Sequence, residues 1–204
     1  MHKQQRKGPF RIAPPLILAS ASPRRLELLS SAGIAPEVVP SGVDEPPPVH
    51  GMDPVVYAAS NAKLKAEALL PDYDGRVILG ADTIVVLDGV VFGKPVDMEH
   101  AVTMLTALCG RTHRVVTACH VILPGDGQGH EIVVESRVSM ASMDDRIIRA
   151  YVESGESLDK AGGYAVQGMG AFMVERIEGS CTNVIGLPLC EIVGFLVERG
   201  VVKV

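Results

Sequence analysis

The chain has no excess of cations: 24 acidic residues face 19 basic ones over 204 positions, for a net charge of −5. Broad neutralisation of a nucleic-acid backbone is therefore excluded, and any recognition of phosphate has to be local. Paired-cysteine spacing is missing too. Cys109, Cys119, Cys181 and Cys190 form no C-x-x-C, so packed, reduced thiols in a cytoplasmic protein are expected rather than zinc or disulfides. No stretch approaches the roughly 18 uninterrupted apolar residues that span a bilayer. The opening "MHKQQRKGPF" has no apolar core of a secretory signal. Residues 1–13 read as a flexible basic tail, ahead of a single domain over 14–204. The signatures G-x-S-x-G, H-E-x-x-H and those of kinases are absent, as are the P-loop and the dinucleotide fingerprint. His2, His50, His100, His113, His120 and His130 lack metal-ligand spacing, and there is no fixed-period repeat.

What is present is an alternation of helical and strand patterns in a chain that is 47% apolar, enough for a core of ordinary size. Residues 16–19 read as a buried strand. Ser22 and Pro23 then open a helix over 23–32, with Gly33 at its left-handed end. Val38 and Val39 suggest a short strand in a proline-rich stretch. Asp53-Pro54 starts a long helix, with Val56, Ala59, Ala66 and Leu70 among its apolar positions and Pro71 as its stop. "RVILGADTIVVLDGVVFGKP" reads as a strand and hairpin turning at Asp88-Gly89, a type I′ signal. A helix capped by Asp97 buries Ala101, Met104, Leu105 and Leu108 and stops at Gly110. Two strands joined by "PGDGQG" form a second hairpin. A helix capped by Ser142 runs to Ser154 with Ile147, Ile148, Tyr151 and Val152 inward. A glycine-rich stretch, a strand and a helix over 189–198 complete the chain. Two hairpins within a βα alternation predict an α/β fold on a mixed sheet.

Several residues depart from what their local structure favours. Arg24 and Arg25 lie in the first turn of a helix, where the dipole disfavours cations. Beside Ser20 and Ser22 they could hold a phosphate chain against the free N–H groups of that turn; they could equally be two solvated surface arginines. Asp82 interrupts an apolar strand. It could cap a strand end, or hold a divalent cation or activate a water if a phosphate site lies nearby. Glu45 in "VDEP" is a candidate second carboxylate or a solvated loop acid. Lys65 sits on a helix, where a solvent-facing lysine is the rule. Lys94, between Gly93 and Pro95, can be aimed by its loop into a cleft and neutralise a leaving phosphate. In "LDKAGGYAVQGMGAF" the glycines imply close approach to another strand or to a flat base, and Gln167 offers both donors and an acceptor to a base edge.

The motifs "LASASPRRLELL", "VDE", "KLKAEAL", "GADTIVVLDG", "GKP", "LDKAGGYAVQGMG" and "GLPL", in that order, resemble the Maf family of nucleotide pyrophosphatases. The resemblance runs from about Leu16 to Val197. It implies an elongated mixed β-sheet flanked by helices, with two lobes and a central cleft, related to the inosine-triphosphate pyrophosphatases. It implies hydrolysis of a nucleoside triphosphate to the monophosphate and pyrophosphate with Mg²⁺ or Mn²⁺, in a house-cleaning role. Asp82 falls on the catalytic position. Ser20, Arg24, Arg25, Lys65 and Lys94 fall on phosphate-binding positions, and Glu45 joins Asp82 as metal ligand. "SPRR", Asp82-Thr83 and Gln167-Gly168 are similar to the branch acting on dTTP and UTP, with Arg24, Thr83 and Gln167 as specificity positions. Family members have also been associated with inhibition of septum formation, so a nucleotide-binding regulator is the alternative. A homodimer is left open.

Overall fold

The computed structural model describes residues 9–12, 15–48 and 51–203. Its elements in chain order are β1 (Arg11–Ile12), β2 (Leu16–Leu18), α1 (Pro23–Ser31), β3 (Glu37–Val38), α2 (Pro54–Glu67), β4 (Val77–Leu87), β5 (Val90–Phe92), α3 (Met98–Leu108), β6 (Thr112–Ile122), β7 (His130–Met140), α4 (Asp145–Glu153), β8 (Val174–Glu178), α5 (Cys181–Ile185), α6 (Leu189–Glu198) and β9 (Val202–Lys203). Seven strands form a mixed sheet in the order β3-β2-β4-β6-β7-β8, with β5 also paired to β4. The pairs β2–β3 and β2–β4 are parallel, and the rest are antiparallel. The expected mixed α/β architecture is thus the observed one.

Strand β4 organises the molecule. One edge pairs with β6 along residues 78–86. The other edge is covered by β2 at 77–79 and by β5 at 85–87, which leaves residues 80–84 unpaired on that edge alone. The two flanking pieces of sheet carry separate cores. Leu28, Leu29, Leu79, Ile192 and Leu196 pack together at one end; Val85, Leu105, Leu108, Ile148 and Tyr151 pack at the other. Between them opens a cleft of about 1100 Å³.

Side chains alternate across β4. Ile78, Ile84 and Val86 face α2, in clusters with Ala58, Ala62 and Ala66. Small residues let α2 lie close: a Cβ on Gly80 would stand 2.3 Å from the carbonyl oxygen of Ala62 and 2.8 Å from the amide nitrogen of Ala66. Both obstacles are backbone and cannot rotate away. Gly80→Ala should push α2 off the sheet and cost about 2 kcal/mol, lowering Tm by about 4–8 °C in a thermal melt. An unchanged Tm would refute the tight helix–strand contact.

Differences from the sequence-based expectations are local. The described part of the expected tail contains β1, which pairs with β9, and Phe10 and Ile12 pack on the first core. Most of the expected tail, residues 1–8 and 13, lies outside the described residues, as do residue 14 and His50. The short strand is Glu37–Val38 rather than Val38–Val39. Helix α1 ends at Ser31. Helix α2 ends at Glu67, since ahead of Pro71 the chain tightens into bonds from Leu69 N to Ala66 O and from Leu70 N to Glu67 O. Its Val56 is exposed. The cap of α4 is Asp144, whose carboxylate accepts from Arg146 N, rather than Ser142. With that start, Ile147 points outward and is 44% exposed. The Asp88-Gly89 turn has φ of 51° and 79°, as a type I′ turn requires.

Candidate active site

The stretch of β4 open on one edge carries Asp82 and Thr83, on opposite faces of the sheet. On the α2 face, Asp82 Oδ1 accepts from Lys65 Nζ at 2.7 Å, and Oδ2 accepts from Asn61 Nδ2 at 3.3 Å. Asn61 and Lys65 are one helical turn apart, so α2 presents both to the same carboxylate. Lys65 Nζ also lies 2.8 Å from Glu45 Oε1 and donates to Ala81 O at 3.4 Å. Lys65 is thus buried between two carboxylates, against the rule for helix lysines, and Glu45 is no free loop acid. Its loop is pinned further by the Tyr57 hydroxyl, which donates to Pro46 O at 3.0 Å. Burial and the negative charges of Asp82 and Glu45 raise the Tyr57 pKa, outweighing a bond from Asn61.

On the other face the two arginines part company. Arg25 is buried at 8% exposure. Its Nε donates to Gly186 O at 2.8 Å, Nη1 to Ser20 Oγ at 2.8 Å and Nη2 to Thr83 Oγ1 at 3.1 Å. Thr83 Oγ1 lies 3.0 Å from Thr117 Oγ1, which donates to Asn183 O at 3.0 Å. A hydrogen-bonded column thus runs from the tip of α1 through β4 and β6 to α5. Burial pulls the Arg25 pKa down, while Asp82, first among the opposing charges, pushes it back; a guanidinium remains charged in either case. Three of its five N–H donors are satisfied, leaving two for a ligand. Arg24 turns the other way, and its Nη1 pairs with Asp159 Oδ2 at 3.0 Å. The expected matched pair of guanidiniums is therefore split: one is a buried strut, the other a bridge across the cleft mouth.

The N-terminus of α1 is itself open. Ser22 occupies the cap position but its hydroxyl accepts no bond from the first turn. In α2, α3, α4 and α5 the cap side chain does accept one. Orphan N–H groups with the positive end of a helix dipole behind them are left facing the cleft. Lys94 and Gln167 are exposed on the cleft wall, and Lys94 makes no ion pair among the described residues. Five cationic side chains (Arg24, Arg25, Lys65, Lys94, Lys160) and three acidic ones (Glu45, Asp82, Asp159) line this space. In a chain of net charge −5, that is a local concentration of positive charge.

Some contributors were hidden in the sequence. Asn61 could have been found from its spacing to Lys65. Gly186, Asp159 and Lys160 lie inside quoted motifs but gave no sign of their partners, which are 161 and 135 positions away for Gly186 and Asp159. Lys160 Nζ donates to Glu156 O at 2.7 Å and to Asp159 Oδ1 at 2.5 Å. The glycines approach protein, not an open slot: a Cβ on Gly162 would stand 3.0 Å from Val85 Cγ2, and one on Gly170 2.9 Å from Ala165 N. Among the described residues no group of three or more His, Cys, Asp or Glu side chains is placed to hold a metal. No described helix is long and apolar enough to cross a membrane.

An acidic centre on the open edge of a mixed sheet, sharing a cleft with an uncapped helix tip and five cationic side chains, defines an α/β protein built to bind a polyphosphate chain. Residues 15–199 match the family model described as "Maf-like protein", and the chain belongs to that family. It is 45% identical over 197 residues to a protein of Nitratidesulfovibrio vulgaris named dTTP/UTP pyrophosphatase, covering 96% of this chain and 92% of that one. Proteins of the same name from Geotalea uraniireducens and Geobacter sulfurreducens are 47% and 49% identical, covering 92% and 87% of this chain and 96% and 93% of theirs.

Proposed function

We propose that this protein hydrolyses dTTP and UTP to the nucleoside monophosphate and pyrophosphate. The observation that carries the reading is the convergence of Asp82, Lys65 and Glu45 at the open edge of β4, lining the same cleft as the uncapped tip of α1. The names of the relatives supply the substrate and the bond that is cut.

In this reading the triphosphate lies along the α1 tip. Its oxygens take the free N–H groups of the first turn, the two spare donors of Arg25 and the ammonium of Lys94; Lys65, whose three donors go to Asp82, Glu45 and Ala81 O, exchanges Glu45 for a phosphate. Arg24 exchanges Asp159 for a phosphate, and Ser20 holds the Arg25 fork in place. Asp82, oriented by Lys65 and Asn61, takes a proton from a water as that water attacks the α-phosphorus. The bond from the α-phosphorus to the bridging oxygen breaks, and pyrophosphate leaves with the electron pair. Gln167, with Arg24 and Thr83, discriminates the base. Thr83 does so indirectly, since its hydroxyl is spent on Arg25 and Thr117.

A divalent cation fits the donor set. Glu45 Oε1 and Asp82 Oδ1 both lie within 2.8 Å of the Lys65 nitrogen, so two carboxylates converge on a point the ammonium fills; with Lys65 turned to a phosphate they would be free to hold Mg²⁺, which is commonly bound by one or two carboxylates plus substrate phosphates. Bound there by Glu45 and Asp82, Mg²⁺ or Mn²⁺ would neutralise phosphate charge that the side chains alone leave uncompensated. The unpaired cysteines suit a reducing, cytoplasmic compartment.

The test is to incubate the purified chain with dTTP, UTP, dCTP, dATP or dGTP and Mg²⁺ or Mn²⁺, and to separate the products. Pyrophosphate and monophosphate should appear, fastest from dTTP and UTP, and a chelator should abolish the reaction. Release of orthophosphate alone, or binding without turnover as a purely regulatory protein would show, would overturn the reading.

A further inference from the structure

Gln167 stands on an exposed turn whose internal backbone bond, from Ala171 N to Gly168 O, is long at 3.3 Å. The next residue, Gly168, has φ of 139° and ψ of −156°, a region essentially closed to other residues, and residues 167–169 are exposed. What fixes this turn is Glu156, eleven positions earlier in the chain. Its Oε1 accepts from Met169 N at 3.0 Å and its Oε2 from Gly170 N at 2.9 Å. The Tyr151 hydroxyl donates to Oε2 at 3.0 Å, and the Tyr151 ring is buried in the second core. Gly168 is small because the carboxylate occupies the space: a Cβ there would lie 2.2 Å from Glu156 Oε1. Burial raises the Glu156 carboxyl, but the bonds from Gly170, Met169 and Tyr151 outweigh it and leave the pKa below its ordinary value.

We infer that Glu156 is the positioning residue for base selection: it clamps the turn behind Gln167 so that the Gln167 amide meets the base edge in one fixed orientation. This rests on the proposed role of Gln167. Uracil and thymine present a ring N–H donor beside a carbonyl acceptor. Cytosine reverses the pattern, with a ring acceptor beside an amino donor. A mobile glutamine amide can flip and satisfy both; a clamped one rejects the wrong pattern, since a mispaired polar group costs a full hydrogen bond. The carboxylate holds the turn through backbone N–H groups and makes no hydrogen bond to a cleft cation, although the charge of Lys160 acts on it. Lys160 is held by the Glu156 main-chain carbonyl, which a side-chain substitution leaves in place.

The experiment compares kcat/KM for dTTP and dCTP in the parent, Glu156→Gln, Tyr151→Phe and Gln167→Ala, with inhibition by inorganic tripolyphosphate as a measure of the phosphate site. Glu156→Gln should reduce the dTTP:dCTP ratio by about tenfold, mainly through KM, with tripolyphosphate inhibition unchanged. Tyr151→Phe, which removes one bond to the same carboxylate, should shift the ratio less and in the same direction, and it carries the test if Glu156→Gln does not fold. If Gln167→Ala loses selectivity while both clamp variants keep it, the clamp is overturned and the reading of Gln167 stands. If Gln167→Ala keeps selectivity, that reading and the clamp fall together. Loss of tripolyphosphate inhibition in step with selectivity would show a general collapse of the site and overturn the positioning role.

Discussion

Asp82→Asn should lower kcat by about 10²–10³-fold while KM for dTTP stays within a few-fold of the parent. The carboxylate meets the attacking water directly and reaches the phosphate chain only through the cation it would share with Glu45, so most of its loss falls on the transition state. Asparagine keeps the size and can still bond Asn61, but it brings no negative charge to accept a proton or to share a cation with Glu45. The fold should tolerate the change. Lys65, the group most exposed to the loss of a partner, keeps Glu45 Oε1 at 2.8 Å and Ala81 O at 3.4 Å, so no buried ammonium is orphaned. Steady-state kinetics with pyrophosphate detection, beside a thermal melt, check both halves. Turnover at the parental rate would remove Asp82 from the chemistry and leave the cleft as a binding site.

Asp82 was legible in the sequence for the same physical reason that its carboxylate is held in place. An aspartate inside an apolar strand is costly unless something compensates, and the compensation, Lys65 with Asn61, is what orients it. The α1 tip was legible because arginines sit badly in a first turn. The sequence could not reveal that the two arginines diverge. Which one turns inward is decided by Gly186 O and Thr83 Oγ1, groups 161 and 58 positions away. Lys65 stood out only through the family resemblance, since a local rule about helix lysines cannot see two carboxylates arriving from β4 and the Glu45 loop. Elements with strong periodicity or turn chemistry, such as β4 and its Asp88-Gly89 hairpin, were readable almost to the residue. The cap of α4 was not, because Ser142 and Asp144 are both good caps and only the backbone decides between them. The window left open on one edge of β4, which makes the cleft, depends on where β2 and β5 stop, and strand ends carry little sequence signal.

That divergence makes the second large effect specific. Arg25→Ala should cost about 3–5 kcal/mol of stability, seen as a fall in Tm of at least about 6 °C for a chain of this size, and should also cut turnover by about 10²-fold. Removing the guanidinium leaves Gly186 O with only the long bond from Thr83 Oγ1 at 3.4 Å and Ser20 Oγ with only Ser22 N at 3.3 Å, breaks the column at Thr83, and takes the buried positive charge away from Asp82. Lysine cannot rescue it. A single ammonium cannot reach three acceptors laid out on a planar fork, so Arg25→Lys should recover only a minor part of the lost Tm. Arg24→Ala supplies the contrast from the adjacent position. Its pair with Asp159 is 24% and 61% exposed on the two sides, and such a pair stabilises by less than about 1 kcal/mol. Its Tm should match the parent while KM for dTTP rises. Two neighbouring arginines would then give one variant that unfolds easily and one that merely binds poorly. Equal stability of the two would mean that Arg25 is not the strut its hydrogen bonds describe, and that the first turn of α1 holds a matched pair of guanidiniums after all.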